Sequence, residues 1–256
     1  MTRGDAVRLE RRGEVAVLVL DRPDRRNAID ARMSEGLRVA LDAFEAEDAL
    51  RVAVLRAEGP SFCAGLDLLL VAGGEAEAFL FGPGRLGGFV SRARTKPVIA
   101  AVQGAALAGG FELVLACDLV VAAADARFGL PEPRVGLVAG AGGAIRLARQ
   151  LPKAVAHEML LTGEPIGAER ALALGLVNRV VEPGALEAAA LDLARRIAAS
   201  APLSVRASLD LARAAAEDES AWALNDRLLS ALLRSEDAAE GARAFAERRA
   251  PRWTGR

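Results

Sequence analysis

The chain has 256 residues, enough for one compact domain to bury roughly three-quarters of its unfolded surface without metal or disulfide crosslinks. It carries 33 Lys plus Arg against 34 Asp plus Glu, a formal net charge of -1, which excludes a global field that would recruit nucleic acid or an anionic membrane. Aromatic residues make up only 4%, which disfavours base-stacking platforms, and a single His with two Cys excludes His-rich zinc sites and a disulfide framework.

The start of the chain, MTRGDAVRLE, is charged and contains no apolar secretion segment, which favours a cytoplasmic protein. The longest uncharged stretch, residues 97–111, is too short and too rich in glycine to cross a bilayer. We therefore expect a soluble protein with no membrane partner.

Strand and helix patterns alternate in the first part of the chain. Residues 14–20 (EVAVLVL) and 52–55 (VAVL) have the β-branched apolar pattern of buried strands. Between them, Asp30 can cap a helix whose apolar residues recur at three- and four-residue spacing. These apolar residues are Met33, Leu37, Leu41 and Phe44.

A second unit of similar build follows, with strands predicted at 97–102 and 119–122 around a helix at about 109–117. Between the two units, the Gly-rich stretch 72–88 has the composition of a mobile surface loop.

Helical spacing dominates from about residue 140, interrupted by one predicted strand at 177–181. Pro183 and Gly184 mark the best boundary in the sequence. We therefore expect an α/β core at residues 1–183 and a C-terminal helical lobe at residues 184–256.

Three segments could carry chemistry. Residues 61–68 (SFCAGLDL) follow a strand, and residues 103–113 (QGAALAGGFEL) enter a helix through small residues that leave a backbone amide open to a ligand. In residues 126–147, Pro131 and Pro133 fix the backbone around Glu132. The first segment also has a purely structural interpretation as a strand-to-helix turn, and the third as a rigid loop with a solvated carboxylate.

In this order and spacing, the three segments resemble the crotonase family, whose best known member is enoyl-CoA hydratase. The resemblance covers nearly the whole chain and includes LDRPDRRNAID near the start, residues 160–181 and residues 240–253 (EGARAFAERRAPRW). It implies a spiral of repeated ββα units with a C-terminal helical lobe. A dinucleotide-binding doubly wound sheet is the alternative, but no G-x-G-x-x-G follows the first strand.

The resemblance also implies a site. The two glycine-containing turns would each donate one backbone amide to a thioester oxygen, at Ala64 and at Gly109. Hydratases of the family use two glutamates, matched here by Glu112, which would activate the water that attacks C3, and Glu132, which would deliver a proton to C2. Gly140 matches the glycine that helps to seat this water.

The implied substrate is an acyl-CoA thioester, so that coenzyme A enters with the substrate and no separate cofactor or metal is expected. Leu68, Leu69 and Leu70 stand where family members often have a lysine for the CoA phosphates, and Arg25 and Arg26 would supply that charge. The implied assembly is a homotrimer or a hexamer built as a dimer of trimers, with Arg248 reaching the CoA of a neighbouring subunit. The implied substrate-binding residues are Arg25, Arg26, Ala28, Ala64, Gly65, Leu66, Asp67, Leu68 and Arg248.

Fold alone does not choose the reaction. The leading hypothesis is an enoyl-CoA hydratase that adds water to a 2-trans-enoyl-CoA to give a 3-hydroxyacyl-CoA in fatty acid metabolism. The nearest alternative is a crotonase-family isomerase or acyl-CoA hydrolase. A different class is a non-catalytic acyl-CoA binder, including an RNA-binding scaffold, although the charge balance and scarce aromatic residues argue against nucleic acid.

The remaining reactive side chains have simpler interpretations. Cys63 and Cys117 are expected to be small core residues, because neither has a histidine nearby in the sequence. His157 is expected on a helix, either at the surface or in satisfied packing, and Asp67 is expected to stabilise a turn rather than to act as a base.

Overall fold

The computed structural model describes residues 6–67, 69–70, 73–74, 76–214 and 219–252. Nine strands in these ranges form two sheets. In chain order the strands are β1 (Val7–Arg12), β2 (Val15–Leu20), β3 (Val52–Ala57), β4 (Val98–Val102), β5 (Ala105–Leu107), β6 (Leu119–Ala123), β7 (Arg127–Gly129), β8 (Ile166–Gly167) and β9 (Arg179–Val181).

Helices fill the rest of the fold. The α-helices are α1 (Ala31–Ala46), α2 (Ala76–Phe81), α3 (Gly109–Ala116), α4 (Gly143–Gln150), α5 (Lys153–Thr162), α6 (Ala168–Ala173), α7 (Leu186–Ala198), α8 (Pro202–Ala214), α9 (Glu219–Leu233) and α10 (Glu236–Ala246). Short 3-10 helices lie at Pro23–Arg25, Leu86–Gly88, Glu132–Val135 and Pro183–Ala185. None of the helices within the described ranges combines the length and the hydropathy that a transmembrane span requires.

The larger sheet has six strands in the order β1-β2-β3-β4-β6-β9, in which β1 is antiparallel and the other pairs are parallel. The smaller sheet has the order β5-β7-β8. The chain passes from the larger to the smaller sheet and then into a helical segment twice, as β4-β5-α3 and as β6-β7 followed by the 3-10 helix at Glu132–Val135. The expected repeated ββα architecture is confirmed, in place of a single doubly wound sheet.

Both faces of the larger sheet are covered. Because side chains alternate along a strand, Val15, Val17 and Val19 of β2 face a cluster that includes Ala190 and Ala194 of α7, while the residues between them face the main core. Helix α7 is therefore packed on the sheet, although the boundary expected at 183/184 assigns it to the C-terminal lobe. The two-part division stays a prediction.

Several predicted elements are confirmed. The strands expected at 14–20, 52–55, 97–102 and 119–122 form β2, β3, β4 and β6, and α1 begins after Asp30, whose Oδ1 accepts a hydrogen bond of 2.9 Å from the Met33 amide. The four apolar residues expected on the inner face of α1 are all buried.

Two features differ from expectation. Strand β1 was not predicted, because it is an edge strand whose residues VRLERR are mostly polar and lack a buried-strand pattern. Residues 72–88 were expected to be a mobile loop; their described part instead contains α2 and the 3-10 helix at Leu86–Gly88. Leu80 and Leu86 anchor this segment in the core, while Ala72 and Glu75 lie outside the described residues.

Candidate active site

The candidate site lies where strands of the larger sheet end. The parallel strands β2, β3, β4 and β6 have their carboxyl ends at one edge, which is where open α/β sheets place ligand sites. The turns that follow β2 and β3, the β5-α3 turn and the segment after β7 carry the residues that the sequence singles out.

Backbone hydrogen bonds tie the turn after β2 to the turn after β3. The Ile29 amide donates to the Gly65 carbonyl at 2.7 Å, and the Asp67 amide donates to the Ile29 carbonyl at 2.9 Å. The Ala64 amide donates to the Arg26 carbonyl at 3.0 Å. Since that amide already has an acceptor within the fold, it is not open to a ligand as the sequence predicted.

Asn27 joins these two turns, and the sequence analysis did not identify it. It is fully buried with a positive φ of 54°, its Oδ1 accepts from the Arg22 amide, and its Nδ2 donates to the carbonyls of Glu58 and Ser61, both at 2.9 Å. The Cys63 thiol donates to the Asn27 carbonyl, and burial raises the pKa of this thiol to about 12. Cys63 is therefore a structural residue, as expected. An asparagine between an arginine-rich turn and the start of a helix was the available signal for Asn27.

The turn after β3 packs directly on the start of α3. A Cβ atom on Gly65 would lie 2.8 Å from the Ala108 Cβ and 3.0 Å from the Gly109 nitrogen, so only glycine fits. A Cβ on Gly109 would lie 3.3 Å from the Leu66 nitrogen. The amides of Leu66 and Gly109 are thus close together, and neither donates to an acceptor among the described residues.

Gly109 is the first residue of α3, where the helix dipole favours negative charge. The preceding residue, Ala108, has φ 49° and ψ -128°, a conformation that residues other than glycine rarely adopt. This strained turn is held by the Ala108 amide, which donates to the Gly129 carbonyl at 2.9 Å.

Glu112 lies in the first turn of α3 with only 3% of its surface exposed. The Gly143 amide donates to its Oε1 at 2.8 Å, and the Ala141 amide donates to the same carboxylate. Burial raises the pKa of Glu112 to about 7; these two amides and the charge of Arg146 limit the increase. Arg146 is held by the carbonyls of Val90 and Ala141.

Glu132 comes from a separate segment and is also buried, in the 3-10 helix that follows Pro131. Its Oε2 has no hydrogen-bond partner among the described residues. Burial, and then the charge of Glu112, raise the pKa of Glu132 well above its ordinary value. Two buried carboxylates that interact in this way favour a state with one shared proton.

The other predicted residues differ in their exposure. Gly140 is buried against Leu229 of α9, whereas Arg25 and Arg26 are exposed on the turn after β2. Asp67 accepts a hydrogen bond of 3.2 Å from the Leu69 amide, which confirms its turn role. Ala28 is half-buried, Arg248 and His157 are exposed, and Leu68 lies outside the described residues.

Together these groups can perform acid-base chemistry at a carbon next to a carbonyl. Two close amides can stabilise the negative charge that develops on a carbonyl oxygen. A carboxylate and a carboxylic acid beside them can take one proton and give another.

Comparison with known proteins gives one consistent family. The profile of the enoyl-CoA hydratase/isomerase family matches residues 10–256. A carnitinyl-CoA dehydratase from Salmonella typhi is 43% identical over 260 residues, covering 98% of this chain and 99% of that protein. The crystal structure of a carnitinyl-CoA hydratase from Mycobacterium avium superimposes with a TM-score of 0.92 at 46% identity and covers all of both chains. An enoyl-CoA hydratase from Mycobacterium tuberculosis H37Rv superimposes with a TM-score of 0.78 at 46% identity, covering 98% of this chain and all of that one.

Proposed function

The chain belongs to the enoyl-CoA hydratase/isomerase family, and on that premise we propose that it adds water reversibly to the C2–C3 double bond of a 2-trans-enoyl-CoA. The product is a 3-hydroxyacyl-CoA, and dehydration is the same reaction in reverse. The reaction exchanges protons and one water molecule, so the proposal includes no metal or redox cofactor.

The observation that carries this proposal is the pair of buried glutamates, Glu112 and Glu132. They arrive from different segments, interact electrostatically, and differ in how strongly the backbone stabilises their charge. Addition of water to a double bond needs one group to take a proton and another to give one, and such a pair supplies both.

The thioester oxygen is assigned to the amides of Leu66 and Gly109. This assignment replaces Ala64 by Leu66, because the Ala64 amide is already bonded to the Arg26 carbonyl. As electrons move from the double bond toward the thioester, the two amides and the start of α3 stabilise the enolate oxygen.

The roles of the glutamates follow from their surroundings. The amides of Ala141 and Gly143 stabilise a negative Glu112, which takes a proton from water as the water oxygen bonds to C3. Only its own backbone amide lowers the pKa of Glu132, and the charge of Glu112 raises it further, so Glu132 holds its proton more tightly and protonates C2. Glu112 gains one proton and Glu132 loses one, so the step balances. Proton exchange then restores the starting state.

Coenzyme A is assigned to the joined turns formed by residues 22–29 and 63–67. Arg25 and Arg26 are exposed there and can pair with phosphates, while Ala28, Gly65 and Asp67 would contact the substrate through the backbone. Arg248 is assigned to the CoA of a neighbouring subunit in a homotrimer or a hexamer.

A second candidate substrate is carnitinyl-CoA, because relatives that match nearly the whole chain carry that name. Carnitinyl-CoA is itself a 3-hydroxyacyl thioester with a quaternary ammonium group on C4, so its dehydration would use the same four groups. Turnover of carnitinyl-CoA and of 3-hydroxybutyryl-CoA under the same conditions distinguishes the two substrates.

The test is loss of the enoyl-thioester absorbance when the protein is added to crotonyl-CoA. Glu112→Gln and Glu132→Gln should each lower the hydration rate at least about a hundredfold while acyl-CoA still binds, since each removes one acid-base function. Glu187→Gln, an exposed glutamate of α7, is the matched control. Normal hydration by Glu112→Gln, together with a Glu132→Gln variant inactive toward a 3-enoyl-CoA, would instead identify an isomerase with one essential carboxylate.

A further inference from the structure

Two leucines from distant parts of the chain lie against the backbone of the candidate site. The Leu86 Cδ2 is 2.5 Å from the position that a Cβ on Gly109 would occupy, and the Leu229 Cδ2 is 2.3 Å from the corresponding position on Gly140. Both leucines are almost completely buried. They therefore contact the site beside the oxyanion amide and beside the glycine assigned to the attacking water.

The position of these leucines suggests which part of a substrate they meet. In the proposed function, the CoA lies on the turns at 22–29 and 63–67, and the carbonyl lies at the Leu66 and Gly109 amides. Because the water assigned to Gly140 attacks C3, the acyl chain beyond C3 would start close to this glycine, against which Leu229 packs. Leu86 and Leu229 thus form the walls that the acyl tail reaches first.

An ion pair joins the two walls. Arg85 precedes Leu86, and Asp226 is three residues before Leu229, so it lies one turn away on the same side of α9. Both terminal nitrogens of Arg85 donate to the Asp226 carboxylate, one of them at 2.5 Å, across 141 residues of sequence. The arginine side chain is 15% exposed and the aspartate side chain 39%, so the pair is sheltered on the arginine side.

The backbone at Arg85 indicates that its side chain is needed. Arg85 has φ 53° and ψ -151°, a conformation that favours glycine, and its neighbours with positive φ (Gly84, Gly87 and Gly88) are all glycines. An arginine is strained at this position, and its bidentate contact with Asp226 offsets that strain.

We propose that Leu86 and Leu229 are specificity-determining residues that restrict the acyl tail to short chains, and that the Arg85–Asp226 ion pair is a positioning device that holds these two walls together. This inference rests on the proposed function for the direction of the acyl chain. It predicts that shortening a wall residue or breaking the ion pair admits longer tails.

The experiment compares kcat/KM for crotonyl-CoA, 2-octenoyl-CoA and 2-dodecenoyl-CoA. Leu229→Ala and Leu86→Ala should each raise the ratio of long-chain to short-chain kcat/KM by about tenfold or more, because a few methylene groups in an apolar pocket discriminate by that factor. Leu229→Val, a smaller change, should shift the ratio in the same direction if the alanine variants do not fold.

The ion pair is tested by Arg85→Gln and Asp226→Asn. Each should raise the ratio of long-chain to short-chain kcat/KM by about fivefold. The exchanged pair Arg85→Asp with Asp226→Arg should return it toward the wild-type value. Arg85→Gly relieves the strained backbone and still removes the ion pair, so it should behave as Arg85→Gln does. The matched control is Arg234→Gln. Arg234 follows the end of α9 and forms a 3.7 Å ion pair with Glu77 of α2; loss of this pair should leave the ratio unchanged.

An unchanged chain-length ratio in both folded leucine variants would overturn the wall assignment. Wild-type selectivity in Arg85→Gly would overturn the role of the ion pair. Binding of saturated acyl-CoA of the same chain lengths provides a readout independent of turnover. Failure of the hydratase assignment, with no turnover of any enoyl-CoA, is therefore distinguishable from failure of this inference.

Discussion

Glu112 and Glu132 show how the same side chain acquires two roles from its surroundings. Glu112 receives amide hydrogen bonds from Ala141 and Gly143, whereas the Oε2 of Glu132 has no partner among the described residues. Burial raises both pKa values. Two backbone amides and Arg146 lower that of Glu112 again, whereas only its own amide lowers that of Glu132 and the charge of Glu112 raises it further. One glutamate is thereby suited to take a proton and the other to give one.

This burial has a consequence for stability. The folded-state pKa of Glu112 is raised from 4.5 to about 7, so the folded protein binds more protons than the unfolded chain between these values. Stability from this group therefore falls as the pH rises from about 4.5 to about 7 and stays low above that. A neutral side chain at position 112 should remove this loss of stability at higher pH.

We therefore expect Glu112→Gln to be more stable than the wild type at about pH 8, by on the order of 3 kcal/mol, and to differ little at about pH 5. Urea unfolding at both pH values measures the difference. Glu187→Gln, which changes an exposed carboxylate, should show no comparable gain. A Glu112→Gln variant that is less stable than the wild type at about pH 8 would show that its carboxylate is not penalised by burial.

At the scale of secondary-structure elements, Lys96 fixes the end of α1. Its Nζ donates to the carbonyls of Phe44 at 2.8 Å, Glu45 at 3.1 Å and Glu47 at 2.8 Å, and only 6% of the residue is exposed. The Glu47 carbonyl also accepts from the Leu50 amide at 3.0 Å, so the cation matters most for the carbonyls of Phe44 and Glu45, which have no helical partners.

Lys96→Met should therefore cost about 2 kcal/mol or more of unfolding free energy, since it leaves the carbonyls of Phe44 and Glu45 without this donor. The hydration rate should stay close to that of the wild type, because α1 contributes none of the proposed acid-base groups. The chain has one other lysine, Lys153, which is exposed at the start of α5, and Lys153→Met is the control. An unchanged urea midpoint in Lys96→Met would contradict this role.

The elements that the sequence predicts correctly are those with enough residues to show a period. The buried strands β2, β3, β4 and β6 have continuous β-branched runs, and α1 shows apolar residues at helical spacing. Strand β1 pairs its polar residues with neighbours instead, since Arg8 contacts Asp21 and Glu58. Strands β5, β7 and β8 have two or three residues and show no pattern, whereas β9 lies within the strand predicted at 177–181.

The site also contains residues that the sequence predicts and residues that only the structure shows. Glu112, Glu132 and Gly109 could be named from the order of motifs in the sequence. The choice between the Ala64 and Leu66 amides as the oxyanion donor could not be made from the sequence. It depends on which amide donates a hydrogen bond to the Arg26 carbonyl. Leu229 and Arg85 are also invisible in the sequence, because only folding brings α9 over the turns that carry the chemistry.

At the scale of the whole molecule, we propose a homotrimer or a hexamer. Phe245 of α10 is 62% exposed, and the exposed Arg248 lies three residues further along. An apolar residue beside the arginine assigned to a neighbouring CoA is consistent with a subunit interface. Sedimentation velocity at micromolar concentration should therefore show three or six copies, and a monomer would contradict a shared site.

Arg248→Ala separates assembly from substrate binding. The variant should keep the wild-type sedimentation coefficient but bind acyl-CoA roughly tenfold more weakly, because one charge-assisted contact to a phosphate is lost. Unchanged affinity would remove this role of Arg248 and leave the proposed assembly intact.

Addition of water to C3 by the Glu112–Glu132 pair is tested most directly by isotope transfer. Crotonyl-CoA is incubated with the protein in heavy-oxygen water, and mass spectrometry follows the label into the product. The wild type should form 3-hydroxybutyryl-CoA with the heavy oxygen on C3, and Glu112→Gln and Glu132→Gln should each incorporate it at least about a hundredfold more slowly. Label that appears only in a released carboxylic acid, or crotonyl-CoA recovered without label, would contradict a hydratase.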